Sequence, residues 1–124
     1  MSERALIVTG DPALKGLLVP IFEGVGLEPV VVASVALAAE HAGAGGFALL
    51  VLDREQPEGQ SAFVFLRRIK SQDPSPPVLM VCGNAAPDDL VAAFRLGAGE
   101  VLRKPLRAGM VGAALTRILP SVAP

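Results

Sequence analysis

The sequence contains no tryptophan, no tyrosine and a single cysteine, Cys82, among its 124 residues. One cysteine can form neither an internal disulfide nor a cysteine-rich metal site. Such sparse usage is typical of a reducing compartment, so we expect a cytoplasmic protein. No stretch approaches the roughly 18 consecutive apolar residues of a membrane-spanning helix. Met-Ser-Glu-Arg leads directly into a strand rather than into a signal peptide, and we therefore expect no membrane association.

An excess of charge of either sign is also missing. The formal net charge is −1 and the basic residues are scattered along the chain, which gives no electrostatic footprint for nucleic acid. Hydrophobic residues make up 52% and charged residues 19% of the chain, which indicates a compact globule with apolar surface left for a protein partner. This length predicts one domain over residues 1–124.

Apolar runs of strand length alternate with longer segments of helical period. Two runs, "FALLVL" and "PVLMVC", are apolar almost throughout, which is typical of strands buried on both faces of a parallel sheet between helices. We therefore predict an α/β fold with a doubly wound, five-stranded parallel sheet and a functional site at the carboxyl ends of its strands. The predicted strands are Ala5–Thr9, Val30–Ala33, Phe47–Leu52, Val78–Cys82 and Glu100–Leu102.

Capping residues indicate where two of the helices begin. Asp11 is a good N-cap and is followed by Pro12, which suits the first helical position. The Asp11 carboxylate is therefore expected to accept hydrogen bonds from the free amides of its own helix. Ser61 is the predicted N-cap of the third helix.

Polar or small residues lie where four of the predicted strands end. Asp53 follows the third strand and Lys104 follows the fifth. Because these ends meet at one edge of a parallel sheet, we expect the side chains to converge. A carboxylate and a lysine suit a nucleophile and a cation that pairs with a transferred phosphoryl group, and equally a semi-buried salt bridge without chemistry. The other residues at this edge are Thr9, Gly10, Asp11, Cys82 and Gly83.

Four segments resemble the receiver domain of two-component response regulators, and the resemblance extends over nearly all of the chain. The resemblance implies a flavodoxin-like (βα)5 fold with strand order 2-1-3-4-5. The four segments are "ALIVTGDPAL", "LLVLDREQPEG", "PVLMVCG" and "AFRLGAGEVLRKPL", of which the last is the most specific.

The resemblance also implies roles for the residues at the strand ends. Asp53, followed four residues later by Pro57, matches the aspartate that accepts phosphate from a histidine kinase in that family. Lys104 matches the lysine that contacts the phosphoryl group, and its peptide bond to Pro105 is expected to be cis. Cys82 stands where the family has a threonine or serine that bonds a phosphoryl oxygen, and a thiol is a weaker donor than a hydroxyl.

The main departure from the family concerns magnesium. The family usually ends its first strand with two adjacent acidic residues that hold Mg²⁺ together with the phosphorylated aspartate, but Thr9 and Gly10 stand there in this chain. Mg²⁺ needs oxygen ligands in near-octahedral geometry, so metal binding and phosphoryl transfer should both weaken greatly. Asp53, Asp11 and Glu55 remain as weak candidate ligands, and we predict no cofactor unless they repair a Mg²⁺ site.

These departures predict a degenerate receiver that is not an enzyme and acts by protein recognition without phosphorylation. The partner would be a histidine kinase, a downstream effector or a second copy of the chain. Members of the family commonly pair through the fourth helix, fifth strand and fifth helix, where Val101 replaces an aromatic residue that swings inward on activation. The candidate interaction face contains Phe94, Val101, Leu106 and Met110.

Other functions remain open from the sequence. A working phosphoacceptor would take phosphate slowly on Asp53, with Glu55 or Asp11 repairing the Mg²⁺ site. A flavin- or nucleotide-binding domain is compatible with the fold alone, although the chain has no tryptophan or tyrosine for stacking and no glycine-rich phosphate turn that opens a helix. A hydrolase with a serine or cysteine nucleophile is weaker still, because the one histidine is far from the strand ends.

Overall fold

The computed structural model of the protein describes residues 3–42, 46–73, 76–83 and 87–119, in which strands and helices alternate. None of the helices in these ranges is long and apolar enough to cross a membrane. The strands are β1 (Glu3–Val8), β2 (Leu27–Val32), β3 (Phe47–Asp53), β4 (Val78–Cys82) and β5 (Glu100–Arg103). The helices are α1 (Pro12–Gly24), α2 (Val35–Ala42), α3 (Ala62–Gln72), α4 (Pro87–Arg95) and α5 (Ala108–Ile118).

The strands form one parallel sheet in the order β2-β1-β3-β4-β5. Leu6 of β1 lies opposite Val30 of β2 on one side and Leu50 of β3 on the other. The chain leaves β1 towards β2 and then crosses to β3 on the opposite side. Such a reversal places a crevice at the carboxyl ends of β1 and β3, where sheets of this kind bind ligands. The predicted fold class and strand order are confirmed.

Side chains of the sheet alternate between two apolar clusters. In β3, Leu50 and Leu52 belong to a cluster with α2, α3 and α4, whereas Leu49 and Val51 belong to a cluster with α1 and α5. Both faces of the central strands are therefore buried, which explains why their sequences are apolar almost throughout. The two clusters hold the strand ends, and with them the polar residues at the crevice, in fixed positions.

The strand boundaries differ from the predicted ones in detail. β1 ends at Val8, so Thr9 lies just beyond it rather than inside it. β2 begins at Leu27 rather than at Val30 and contains Pro29. Because β2 is an edge strand, this proline can lie in the sheet without removing a central hydrogen bond. β3 extends to Asp53 and β5 to Arg103, each one residue beyond the prediction, and β4 has the predicted bounds.

Side chains cap the starts of three helices. The predicted N-caps are confirmed, since Asp11 accepts from the amides of Ala13 and Leu14, and Ser61 accepts from the amide of Val64. The start of α2 is capped from another part of the chain. Two glutamine side-chain oxygens accept there, from Gln56 to the Val35 amide at 2.9 Å and from Gln60 to the Ala36 amide at 3.1 Å. The loop after β3 therefore holds the start of α2.

Candidate functional site

Asp53 lies at the carboxyl end of β3 and is 1% exposed. Its Oδ1 accepts a hydrogen bond from the Glu55 amide at 3.0 Å. Its Oδ2 accepts from the Thr9 hydroxyl at 2.6 Å and from the Lys104 ammonium at 3.0 Å. Both carboxylate oxygens are therefore engaged by groups of the protein itself.

Lys104 is the cation at the centre of the site. Its Nζ lies 3.1 Å from Oδ2 of Asp11, 3.0 Å from Oδ2 of Asp53 and 3.1 Å from Oε2 of Glu55. An ammonium group has three N–H donors, so these carboxylates can occupy all of them. The Lys104 amide donates to the carbonyl of Cys82 at 2.7 Å, which fixes the chain after β5 beside β4. The peptide bond from Lys104 to Pro105 is cis, as the resemblance implies.

Asp11 serves the first helix and the site at the same time. Its Oδ1 accepts from the first-turn amides of α1, at 2.9 Å from Ala13 and 3.4 Å from Leu14, while its Oδ2 faces Lys104. The expectation that an N-cap carboxylate points into its own helix therefore accounts for only one of its two oxygens. The amide of Asp11 donates to the Thr9 hydroxyl oxygen at 3.0 Å, so the turn after β1 is joined directly to Asp53 through Thr9.

Glu55 crosses the site from the loop after β3. Its Oε1 accepts from the Gly83 amide at 3.0 Å, and its Oε2 pairs with Lys104. A Cβ atom on Gly83 would collide with Glu55 Oε1. The close approach of the carboxylate to the chain after β4 therefore depends on glycine at this position.

The electrostatics of the four charged groups follow from burial and from these hydrogen bonds. Burial raises the pKa of Asp53, although hydrogen bonds from Thr9 and Lys104 oppose the shift. Burial also acts to raise the pKa of Glu55, but hydrogen bonds with Asp53 and Lys104 outweigh it and hold that pKa below its usual value. The hydrogen bond from Lys104 lowers the pKa of Asp11. Burial opposes the charged form of Lys104, yet its bonds to the three carboxylates raise its pKa.

The described residues do not fit a Mg²⁺ ion. No group of three His, Cys, Asp or Glu residues within the described ranges is arranged to hold a metal. The carboxylates of Asp11, Asp53 and Glu55 converge instead on the Lys104 ammonium, which takes the place that a metal cation would need. The Thr9 hydroxyl donates to Asp53 and accepts from the Asp11 amide, and it brings no negative charge to a cation.

A cleft of about 610 Å³ opens beside these residues. One part of its lining is polar and includes Glu55 and Lys104, and the rest is apolar and belongs to α1 and the chain before α5. Asp53 is not among the described residues that line it. The cleft therefore gives solvent access to Lys104 and Glu55 but not to the carboxylate of Asp53. Its lining consists of Asp11, Ala13, Leu14, Leu17, Glu55, Gly83, Lys104, Pro105 and Leu106.

Cys82, the candidate that would contact a phosphoryl oxygen, is 1% exposed and belongs to the apolar cluster with α2, α3 and α4. Burial raises the pKa of its thiol. A buried, protonated thiol behaves as a small hydrophobic side chain.

The four residues of the candidate interaction face differ in exposure. Phe94 is 52% and Met110 is 36% exposed. Val101 is half-buried and packs against the cluster with α2, α3 and α4, and Leu106 is half-buried and packs against the cluster with α1 and α5. The available apolar surface of this face therefore comes from α4 and α5 rather than from β5.

Sequence reasoning missed two contributions to the site. It treated Thr9 only as a missing metal ligand, although a hydroxyl at the end of a strand beside a buried carboxylate is a natural hydrogen-bond donor. It also missed Arg54, which pairs with Asp89 of α4 at 2.9 Å and lies over the Phe63 ring at 5.6 Å from its centroid. Arg54 thus joins the end of β3 to the start of α4.

The chain is similar to known receiver domains. The family model "Response regulator receiver domain" matches residues 5–116. No curated protein matches the sequence. Among solved structures, the CheY-like receiver domain protein of Methanospirillum hungatei JF-1 is 22% identical with a TM-score of 0.88, covering 98% of this chain and 97% of that one. The receiver domain of a putative Luxo repressor protein from Vibrio parahaemolyticus is 20% identical with a TM-score of 0.88, covering 98% and 93%.

A third similar structure comes from a different kind of signalling protein. The receiver domain of a histidine kinase from Syntrophus aciditrophicus is 24% identical with a TM-score of 0.82, covering 98% of this chain and 92% of that one. At these identities the structures show a shared fold. The family model spans most of the sequence and includes both Asp53 and Lys104. The chain therefore belongs to the response regulator receiver domain family of two-component signalling.

Proposed function

We propose that this receiver domain signals by binding a partner protein without phosphorylation of Asp53. Receiver domains are signalling modules that act on proteins such as kinases and effector domains. The single observation that carries the proposal is the hydrogen bond from Thr9 to Asp53 Oδ2 at 2.6 Å. It places a neutral donor on the carboxylate where the family usually supplies acidic metal ligands.

The hydrogen bonds, burial and charged neighbours of the Asp53 carboxylate support the proposal. An oxygen that attacks phosphorus must free a lone pair, and Oδ2 already accepts two hydrogen bonds, from Thr9 and Lys104. Burial raises the pKa of Asp53, so the carboxylate anion is less favourable here than in water. Lys104 sets one positive charge against three carboxylates, so without a metal the site would repel an anionic phosphoryl donor.

The surface of the domain offers apolar contacts for a partner. Val91 and Phe94 of α4 are 48% and 52% exposed, and they lie on one face of the helix because they are three residues apart. Met110 of α5 adds a further exposed apolar side chain. A histidine kinase, an effector or a second copy of the chain would bury these side chains.

Incubation with acetyl phosphate and Mg²⁺, followed by intact-mass spectrometry, tests this function. The expected result is no phosphoryl adduct on the natural protein, as for its Asp53→Ala variant, under conditions that label a receiver known to take phosphate. An adduct on the natural protein that is missing from Asp53→Ala would overturn the proposal. That result would establish the alternative, a working phosphoacceptor that retains Asp53 and Lys104 at 3.0 Å.

A further inference from the structure

Two hydrogen-bond donors from different strand ends converge on one carboxylate of the protein. Lys104 Nζ, after β5, lies 3.1 Å from Glu55 Oε2, and the Gly83 amide, after β4, donates to Glu55 Oε1 at 3.0 Å. The same ammonium lies 3.0 Å from Asp53. We propose that Glu55 is a built-in anion, whose carboxylate occupies the position beside Asp53 that an oxyanion bonded to Asp53 would need.

The reach of Lys104 defines that position. An oxyanion attached to Asp53 Oδ2 stays within a bond or two of this oxygen, so Lys104 is the cation that it would have to meet. The three donors of the Lys104 ammonium already face three carboxylates. An incoming oxyanion must therefore displace one of them. Glu55 is the one free to leave, because its side chain is 51% exposed whereas those of Asp11 and Asp53 are 33% and 1% exposed.

Gly83 leaves the space that the Glu55 carboxylate occupies. The described glycines with positive φ are Gly26, Gly46, Gly59 and Gly97, so the backbone conformation at Gly83 does not require a glycine. What the missing side chain provides is room, because a Cβ there would collide with Glu55 Oε1.

This inference rests on the proposed function, because it identifies what fills the site of a receiver that takes no phosphate. Its first test uses amide hydrogen exchange of the natural chain. The Gly83 amide should be protected, and Glu55→Ala should accelerate its exchange at least tenfold. Glu58→Ala is the matched control, because Glu58 is an exposed glutamate of the same loop. Equal exchange of Gly83 in the natural chain and in Glu55→Ala would overturn the inference.

The second test measures occupancy with beryllium trifluoride, an anion that mimics a phosphoryl group on aspartate. The parent protein is the double variant Thr9→Asp/Gly10→Asp, which restores the acidic pair of the family. Gly10 has room for a side chain, since the nearest atom to a Cβ there is the Ala33 carbonyl oxygen at 3.4 Å. Addition of Glu55→Ala should tighten the apparent affinity for beryllium trifluoride at least tenfold. In the parent, Glu55 occupies the position for most of the time, and the apparent affinity falls in proportion to the fraction of protein in which the position is free. Addition of Glu58→Ala should change it less than twofold.

Gly83→Ala in the same parent displaces the Glu55 carboxylate without removing its charge, and it should also tighten binding of beryllium trifluoride. Failure of Glu55→Ala to tighten binding, or the same gain from Glu58→Ala, would overturn the inference. These outcomes are separate from the proposed function, which depends only on whether the natural chain takes the phosphoryl group. Phosphorylation of the natural chain would contradict the proposed function. The effect of Glu55→Ala on beryllium trifluoride binding would still decide whether Glu55 occupies the position.

Discussion

The Thr9 hydroxyl donates a 2.6 Å hydrogen bond to Oδ2 of Asp53, although the two residues are 44 positions apart in the sequence. The bond joins the turn after β1 to the end of β3 across the crevice of the sheet. It is buried, and it is continued by the Asp11 amide, which donates to the Thr9 oxygen at 3.0 Å. Thr9 therefore closes the site with a neutral hydrogen bond where a metal-binding receiver would present acidic side chains.

Removal of this hydroxyl should destabilise the protein. Thr9→Val keeps the shape of the side chain but leaves the buried Asp53 without one donor, so the free energy of unfolding should fall by roughly 1–3 kcal/mol. Thr116→Val is the control, because the Thr116 hydroxyl bonds the Gly112 carbonyl on an exposed helix surface and should contribute within about 0.5 kcal/mol. Urea unfolding measures both. Equal losses in the two variants would contradict a structural role for the Thr9 bond.

Loss of the central cation should cost more. Lys104→Met keeps the apolar stem but leaves Asp53 buried without its counter-charge, so we expect a loss of roughly 3 kcal/mol in the free energy of unfolding. The double variant Lys104→Met/Asp53→Asn should lose less than the sum of its single variants, because the two groups interact directly. Lys15→Met, on the exposed side of α1, should be nearly neutral. An additive double variant would contradict the coupling.

Asp53 should make a distinctive contribution to the pH dependence of stability. Because burial raises its pKa above the usual 3.8, the folded protein holds this proton more tightly than the unfolded chain. The stability that protonation of Asp53 contributes is therefore fully present below the unfolded pKa and is lost as pH rises through the folded pKa. Asp53→Asn removes this loss, so the stability of the variant relative to the natural protein should increase as the pH rises from below 3.8 through the folded pKa of Asp53. Urea unfolding at several pH values measures this difference, and a constant or decreasing difference would contradict the burial argument.

Gln56 should hold the start of α2. Its side chain accepts from the Val35 amide at 2.9 Å and donates to the Asp53 carbonyl at 2.6 Å. Gln56→Ala should therefore speed hydrogen exchange in the first turn of α2 and cost about 1 kcal/mol of stability. Gln72→Ala, exposed at the end of α3, is the matched control and should leave that exchange unchanged. Unaltered exchange at Val35 in Gln56→Ala would show that the cap is not needed.

Most of the fold could be predicted because it depends on local patterns. Near-continuous apolar runs identified the buried strands, and the capping residues Asp11 and Ser61 identified the starts of two helices. β2 begins at Leu27, three residues before the predicted start at Val30, and it includes Pro29, which is tolerated because the strand is an edge. Whether β2 is an edge strand depends on the strand order, which is a property of the whole sheet and not of the local sequence.

The site was predictable only in part. The convergence of Asp53 with Lys104 follows from strand topology, because both residues lie at carboxyl ends of parallel strands. The bond from Gly83 to Glu55 joins residues 28 positions apart and depends on how one side chain turns within a loop. No periodicity or spacing in the sequence encodes such a contact, and the same holds for the second oxygen of Asp11.

The most direct test of the account is an amide NMR titration of the natural protein with Mg²⁺ and then with Mg²⁺ plus beryllium fluoride. Thr9 already bonds the Asp53 carboxylate, and Lys104 already pairs with Asp53 and Glu55, so the groups that such an adduct would need are engaged. We therefore predict no change around Asp53, Cys82 and Lys104 at millimolar Mg²⁺. Shifts at these residues that disappear in Asp53→Ala would demonstrate a working phosphoacceptor and contradict the account.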